Sequence, residues 1–321
     1  MRRLRLIMGA LLLAGTVTAL PAAASADPDA IVSVKLERQA AAFWTPERMA
    51  QAKPAELSDR QARDRDVPPV APPAGTPGRE YTVPGAPPAR QAAATASQSL
   101  LATPTVGAIY LVTADGGLVY CSASAVGGHA RNVIATAAHC LHGGPGGGFI
   151  RSAQYIPYYN YGPSPEYGVW TIDTIHVHQK WINTGDDFYD FAFATVAPRG
   201  DGARLGDVTG YNGMSFNRSG SYIAALWGYP GIPPSNAEWQ YNCTDIAYNG
   251  PMVPGFHYSI NCSTLAHGGS SGGPWIYDYQ QERRWGYVSS VITHGVPGKS
   301  IYGPALGDEA RAVYERATGQ A

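Results

Sequence analysis

The stretch Ala266-His267-Gly268-Gly269-Ser270-Ser271-Gly272-Gly273-Pro274-Trp275-Ile276-Tyr277-Asp278 decides between two architectures. Both serines fit Gly-x-Ser-x-Gly, the pattern of a nucleophile elbow between a strand and a helix. An elbow needs a helix directly after its serine. Here Gly272, Gly273 and Pro274 follow, poor helix openers at those positions, and then a strand-like aromatic and β-branched run. The segment reads as a glycine turn feeding a strand.

Two further segments lie upstream. Thr136-Ala137-Ala138-His139-Cys140 follows the strand-like Asn132–Ala135, and Asp190 heads the apolar run Phe191–Val196. The chain order is therefore histidine, acid, serine. A strand–helix hydrolase carries serine first, then acid, then histidine. Short apolar runs between turn residues fill residues 101–321, among them VGAIYLVT, GLVYCSASAV, VWTIDTIHVH and WGYVSSVITHG. Such spacing predicts an all-β sandwich or barrel. One helix is expected at the end, with Asp308 as its cap and Ala310, Val313, Tyr314 and Ala317 on one face.

The first hundred residues read differently. Arg2, Arg3 and Arg5, an apolar run from Leu6 to Leu20 and the small-residue exit Ala24-Ser25-Ala26 describe a secretory signal peptide over 1–26. That run is too short for a good membrane span. Residues 27–100 read as a pro-segment and proline-rich linker, largely disordered, with eight prolines between 67 and 90. Residues 101–321 carry eleven Lys and Arg against fifteen Asp and Glu. This mild acidity argues against nucleic acid or an anionic membrane as partner. The expectation is a secreted, extracellular protein, a monomer acting on protein or peptide substrates.

TAAHC, DFAFATV and GGSSGGP, in that order, resemble the three signature segments of the chymotrypsin-like serine peptidases, over roughly residues 105–317. The resemblance implies two six-stranded antiparallel β-barrels with the active site between them, and a C-terminal helix. It makes Ser271 the nucleophile, His139 the general base and Asp190 the group that orients the imidazole. The N–H groups of Gly269 and Ser271 would form the oxyanion hole. Asp186 and Asp187 are competing acids, but both lie in a loop, whereas Phe191 and Phe193 offer Asp190 an apolar wall. The family's bridge beside the histidine implies Cys121–Cys140, leaving Cys243 and Cys262 to pair. The resemblance implies neither cofactor nor metal.

The sequence also departs from the trypsin branch. Ser270 stands where that branch has the aspartate that pairs with a new N-terminus, and Thr105-Val106-Gly107-Ala108 is the nearest analogue of that terminus. The departure resembles the bacterial branch that includes glutamyl endopeptidases. Leu265 falls at the floor of the primary pocket, so a preference for Lys or Arg is not expected. Thr293, His294 and Gly295 fall at its wall, where His294 offers a donor to an acidic side chain. His176 and His178, at i and i+2 of a strand, read as surface histidines rather than metal ligands. The tyrosines of YIPYYNYGPSPEY read as loop packing or a substrate-contact surface. A non-catalytic protein of this fold and a serine esterase are the alternatives. The first is disfavoured by the complete triad, the second by chain order.

Overall fold

The computed structural model describes residues 27, 29–37, 43–55, 78–88, 102–232, 237–248, 256–259, 261–296 and 300–320. The signal-peptide reading lies outside them. Apolar residues in unbroken runs form strands that are covered on both faces. β4 (Val106–Val112) is buried at all positions, and β5 (Leu118–Val126) at all but the first two. The elements before them are β1 (Ile31–Lys35), α1 (Pro46–Gln51), β2 (Lys53–Pro54) and β3 (Tyr81–Val83). After them come β6 (Val133–Thr136), β7 (Ser152–Pro157), β8 (Trp170–His178), α2 (Gln179–Thr184) and β9 (Ala192–Val196). Antiparallel pairing runs β7-β4-β5-β6-β9-β8 and closes through β8 onto β7, giving a six-stranded barrel. Ile109, Leu111, Ile134, Tyr155, Trp170 and Phe193 are fully buried in its core cluster.

The second half holds α3 (Leu205–Thr209), β10 (Gly213–Phe216), β11 (Tyr222–Gly228), β12 (Tyr241–Ala247), β13 (Phe256–Ser259), β14 (Pro274–Gln280), β15 (Trp285–Val291), β16 (His294–Val296) and β17 (Ser300–Pro304). Among the described residues these form a six-stranded sheet, β12-β11-β14-β15-β10-β3, and a three-stranded sheet, β13-β17-β16. The arrangement departs from a uniformly antiparallel barrel at one place, where β10 lies parallel to β15. Both disulfides form, Cys121–Cys140 and Cys243–Cys262. Each stabilises by shrinking the unfolded ensemble, by about 3 kcal/mol for loops of this order.

The chain ends in α4 (Asp308–Thr318), whose Ala310, Val313, Tyr314 and Ala317 are buried against β8 and β9. Its cap is Gly307 rather than Asp308. Asp308 occupies the first turn, where a carboxylate complements the helix dipole, and accepts a 2.7 Å hydrogen bond from Asn217. No helix among the described residues is long and apolar enough to cross a membrane.

Within 27–100, the described residues 29–37, 43–55 and 78–88 include short strands and a helix. β1 adds to β8 over a five-residue antiparallel register, and β3 adds to β10. Both are edge additions free of proline, which is why a proline-rich surrounding permits them. β1 also changes the fate of two histidines. His176 and His178 are 6% and 2% exposed, not at the surface: β1 pairs along their strand, α4 packs on it and the Tyr189 ring lies 4.7 Å from His178. Ser33 Oγ lies 2.8 Å from His176 Nδ1, and His178 Nδ1 accepts from the Lys180 N–H at 3.2 Å. Burial holds the pKa of His176 down, to about 4.

Candidate active site

His139 follows β6 in a single helical turn, Ala138–Cys140, pinned by the disulfide to Cys121 on β5. Asp190 follows a second short turn, Asp187–Tyr189, whose cap is Asp186, accepting from the Phe188 N–H. That role removes Asp186 from contention as the acid. Asp190 is completely buried beside Phe191 and Phe193, the apolar wall read from sequence. One of its oxygens lies 2.7 Å from His139 Nδ1, and the other accepts the His139 backbone N–H at 2.8 Å. Two acceptors on one residue fix both the position of the turn and the plane of the ring. The Trp181 ring stands 6.4 Å from the imidazole, with its Nε1 donating to the His142 carbonyl.

The glycine turn sits between the two halves of the molecule. Ser271 is 7% exposed; its carbonyl accepts the Ser122 N–H at 2.7 Å and touches Cys140 Sγ at 3.7 Å. From the other side, the Gly272 N–H donates to Ile292 O at 2.7 Å. Gly272 has φ +80, and a Cβ there would fall 2.0 Å from Thr136 Oγ1 and 2.3 Å from Ser122 O. Only glycine closes the barrels this tightly. Gly269 has φ +86, and its carbonyl is turned inward to accept from Ser122 Oγ at 2.8 Å. Ser122 Oγ in turn accepts the Tyr229 N–H. Ser122 was not singled out in the sequence, because nothing there marks it beyond its place beside Cys121.

His139 Nε2 is buried and has no hydrogen-bond partner. The turn meets the histidine's chain neighbours Thr136, Ala137 and Cys140 without an Oγ–Nε2 hydrogen bond to the ring, and such bonds are often long or absent in resting sites. Ser270 Oγ is also buried without a partner, facing Gly228 closely enough that a Cβ there would fall 3.2 Å from it. Gly107, in the nearest analogue of a new N-terminus, lies inside β4 with no room for a side chain. The disulfide leaves Cys121 and Cys140 without thiolates to hold a metal beside His139.

Leu265, Thr293, His294 and Gly295, read from sequence as a specificity pocket, lie on two neighbouring segments. Leu265 is 1% exposed at the end of the turn Ser263–Leu265. A Cβ on Gly295 would touch Ala266, the next residue, at 2.7 Å. Thr293 is buried, with its Oγ1 3.0 Å from His294 Nδ1. The His294 ring stacks on Tyr302 at 4.8 Å, and the Asp187 carboxylate lies 4.0 Å from its Nδ1. The tyrosine loop divides: Tyr155, Tyr159 and Tyr167 are buried, and Tyr161 is 69% exposed.

No protein-family model matches the chain, and no curated protein matches it. Solved structures do. The thermostable serine protease AL20 from an extremophilic microorganism is 31% identical with a TM-score of 0.61, over 68% of this chain and 99% of that one. The protease Anisep from Arthrobacter nicotinovorans is 30% identical with a TM-score of 0.61, over 68% and 97%. A Glu endopeptidase shares the fold at 18% identity and a TM-score of 0.54, over 77% and 99%. With a relative this similar covered almost end to end, and barrel, glycine turn and histidine–aspartate pair in place, the chain belongs to the chymotrypsin-like serine peptidases, a family of serine endopeptidases.

Proposed function

We propose that the chain is a secreted serine endopeptidase acting through an acyl-enzyme on Ser271, with His139 as general base and Asp190 holding the imidazole. The observation that carries this is the paired grip of the buried Asp190 on His139, at Nδ1 and at the backbone N–H. With Nδ1 committed, the ring presents Nε2 to a nucleophile. His139 takes the Ser271 proton as the hydroxyl attacks the peptide carbonyl, then returns it to the leaving amine. Asp190 stabilises the imidazolium between those steps. The Gly269 and Ser271 N–H groups receive the oxyanion.

The residue before the cleaved bond is acidic or uncharged rather than basic. Leu265 offers no carboxylate to Lys or Arg, and the His294 ring, at 4.0 Å from the Asp187 carboxylate, offers a hydrogen-bond donor to an acidic side chain. A fluorophosphonate label followed by peptide mapping tests the nucleophile. It marks Ser271 and is lost in Ser271→Ala and His139→Ala, each lowering turnover by about 10⁶-fold. Label on another serine, or undiminished turnover in Ser271→Ala, refutes the assignment. A peptide-library cleavage profile dominated by Lys or Arg refutes the pocket reading.

A further inference from the structure

The described residues 29–37 and 43–55 lie across the peptidase from the β8 edge to the glycine turn. β1 continues β8 as an antiparallel neighbour, reinforced by the Gln179 N–H on Ala30 O at 2.9 Å and the Leu36 N–H on Asp173 O at 2.8 Å. A Lys180–Asp29 ion pair at 2.6 Å adds to this contact. α1 follows, capped by Thr45 with Pro46 in its first turn. Trp44 and Met49 are buried, and the Trp44 ring packs 5.5 Å from Tyr110. These apolar contacts form the anchor.

Beyond the anchor, the chain enters the site. Lys53 and Pro54 pair with Val119 and Tyr120 of β5, and the Ala55 N–H donates to Tyr120 O at 2.9 Å. Pro54 fits against Gly231, where a Cβ would come within 3.0 Å of Pro54 Cγ. Ala55, only 8% exposed, borders a cavity of about 430 Å³ together with Leu111, Asp115, His139, Ile150 and Trp181. The Ala55 carbonyl accepts the Gly269 N–H at 3.4 Å.

We infer that residues 29–37 and 43–55 act as an intramolecular inhibitor of the peptidase, docked so that the Ala55 carbonyl occupies one of the two oxyanion donors. The inference rests on the proposed roles of Ser271 and Gly269. A substrate carbonyl needs the N–H that Ala55 holds, so binding has to displace Ala55 first. No hydrogen bond joins the Ser271 N–H to Ala55 O among the described residues, so the carbonyl blocks the hole without being seated for attack. The contact at Gly269 is long and weak. Inhibition therefore draws on the anchor, which holds the tip at high local concentration.

The test uses the full chain. Trp44→Ala removes the anchor without touching the site. Its rate of Ser271 labelling by a fluorophosphonate rises at least about tenfold over the unmodified chain as the competent fraction grows. A synthetic peptide of residues 29–55 slows it again. Equal rates in the two chains, or no effect of the peptide, overturn the inference and leave the nucleophile standing. In the Ser271→Ala chain, which cannot process itself through that serine, NMR amide exchange finds Ala55 and Gly269 protected, and both lose protection on adding Trp44→Ala. Exchange of both at free-peptide rates in Ser271→Ala itself overturns docking without recourse to activity. Protected amides with no chain labelled at Ser271 overturn the nucleophile instead, and the inhibitory role with it.

Discussion

Gly269→Ala probes the glycine turn at its tightest point. At φ +86 a Cβ would lie 2.2 Å from Tyr120 Cε2 and 2.6 Å from Tyr229 O. Gly220 is the matched control, at φ +74 with nothing within 4 Å. Gly220→Ala therefore carries only the left-handed backbone penalty, about 1 kcal/mol. Gly269→Ala adds overpacking, about 1–3 kcal/mol. The Tyr120 ring has some freedom to shift, but Tyr229 O is backbone and does not yield. The turn moves instead, against the hold of Ser122 on the Gly269 carbonyl, and takes the N–H with it. Loss of one oxyanion donor lowers kcat by about 10²–10³-fold. Urea unfolding of both variants and turnover per titrated site of both give the two numbers. The reasoning fails if Gly269→Ala matches Gly220→Ala within about 0.5 kcal/mol and within about threefold in kcat.

Four further outcomes follow from the same geometry. Asp190→Asn keeps the fold but presents an amide to His139 Nδ1, favours the wrong tautomer and lowers kcat by about 10⁴-fold; unchanged kcat refutes the orienting role. His176, bonded to Ser33 and near Arg316, is held down to about 4 in the folded chain, below its unfolded value of about 6.5. Its contribution is complete above pH 6.5, declines as pH falls from 6.5 to 4 and then levels off, by no more than about 3 kcal/mol. Unfolding free energies across that range check this, and His176→Gln flattens the slope. Ser270→Ala removes a partnerless buried hydroxyl and leaves stability unchanged or up to about 1 kcal/mol higher. Ser270→Asp buries a carboxylate against Gly228 and loses about 3 kcal/mol or more by denaturant unfolding; a stable Ser270→Asp chain refutes this account of the pocket.

The candidate site was legible because its chemistry is concentrated in short segments. His139, Asp190 and the glycine turn each carry their own local signal, and Phe191 and Phe193 announced a buried acid. What escaped reading depends on contacts between distant segments. Ser122 is an ordinary strand serine until the fold brings the Gly269 carbonyl to it. His176 and His178 have the spacing of a solvent-facing strand, and it takes β1, more than 140 residues away in sequence, together with α4 and Tyr189, to enclose them. Asp308 looks like a cap, yet the backbone enters α4 one residue earlier, at Gly307. The segment before the barrels misleads by composition: its prolines weigh against sheet structure on average, while strands of two to five residues at sheet edges need few donors.

The ladder between Ile31–Lys35 and Thr174–His178 also bears on how the chain would behave in concentrated solution if Ile31–Lys35 were removed. Without that neighbour, this stretch of β8 would be left with bare amides and carbonyls along a barrel rim, and His176 would lose its contact with Ser33. A bare rim of this kind is a template for a second molecule, which can line up against it in the same antiparallel sense. The covering strand thus keeps copies of the barrel from pairing edge to edge.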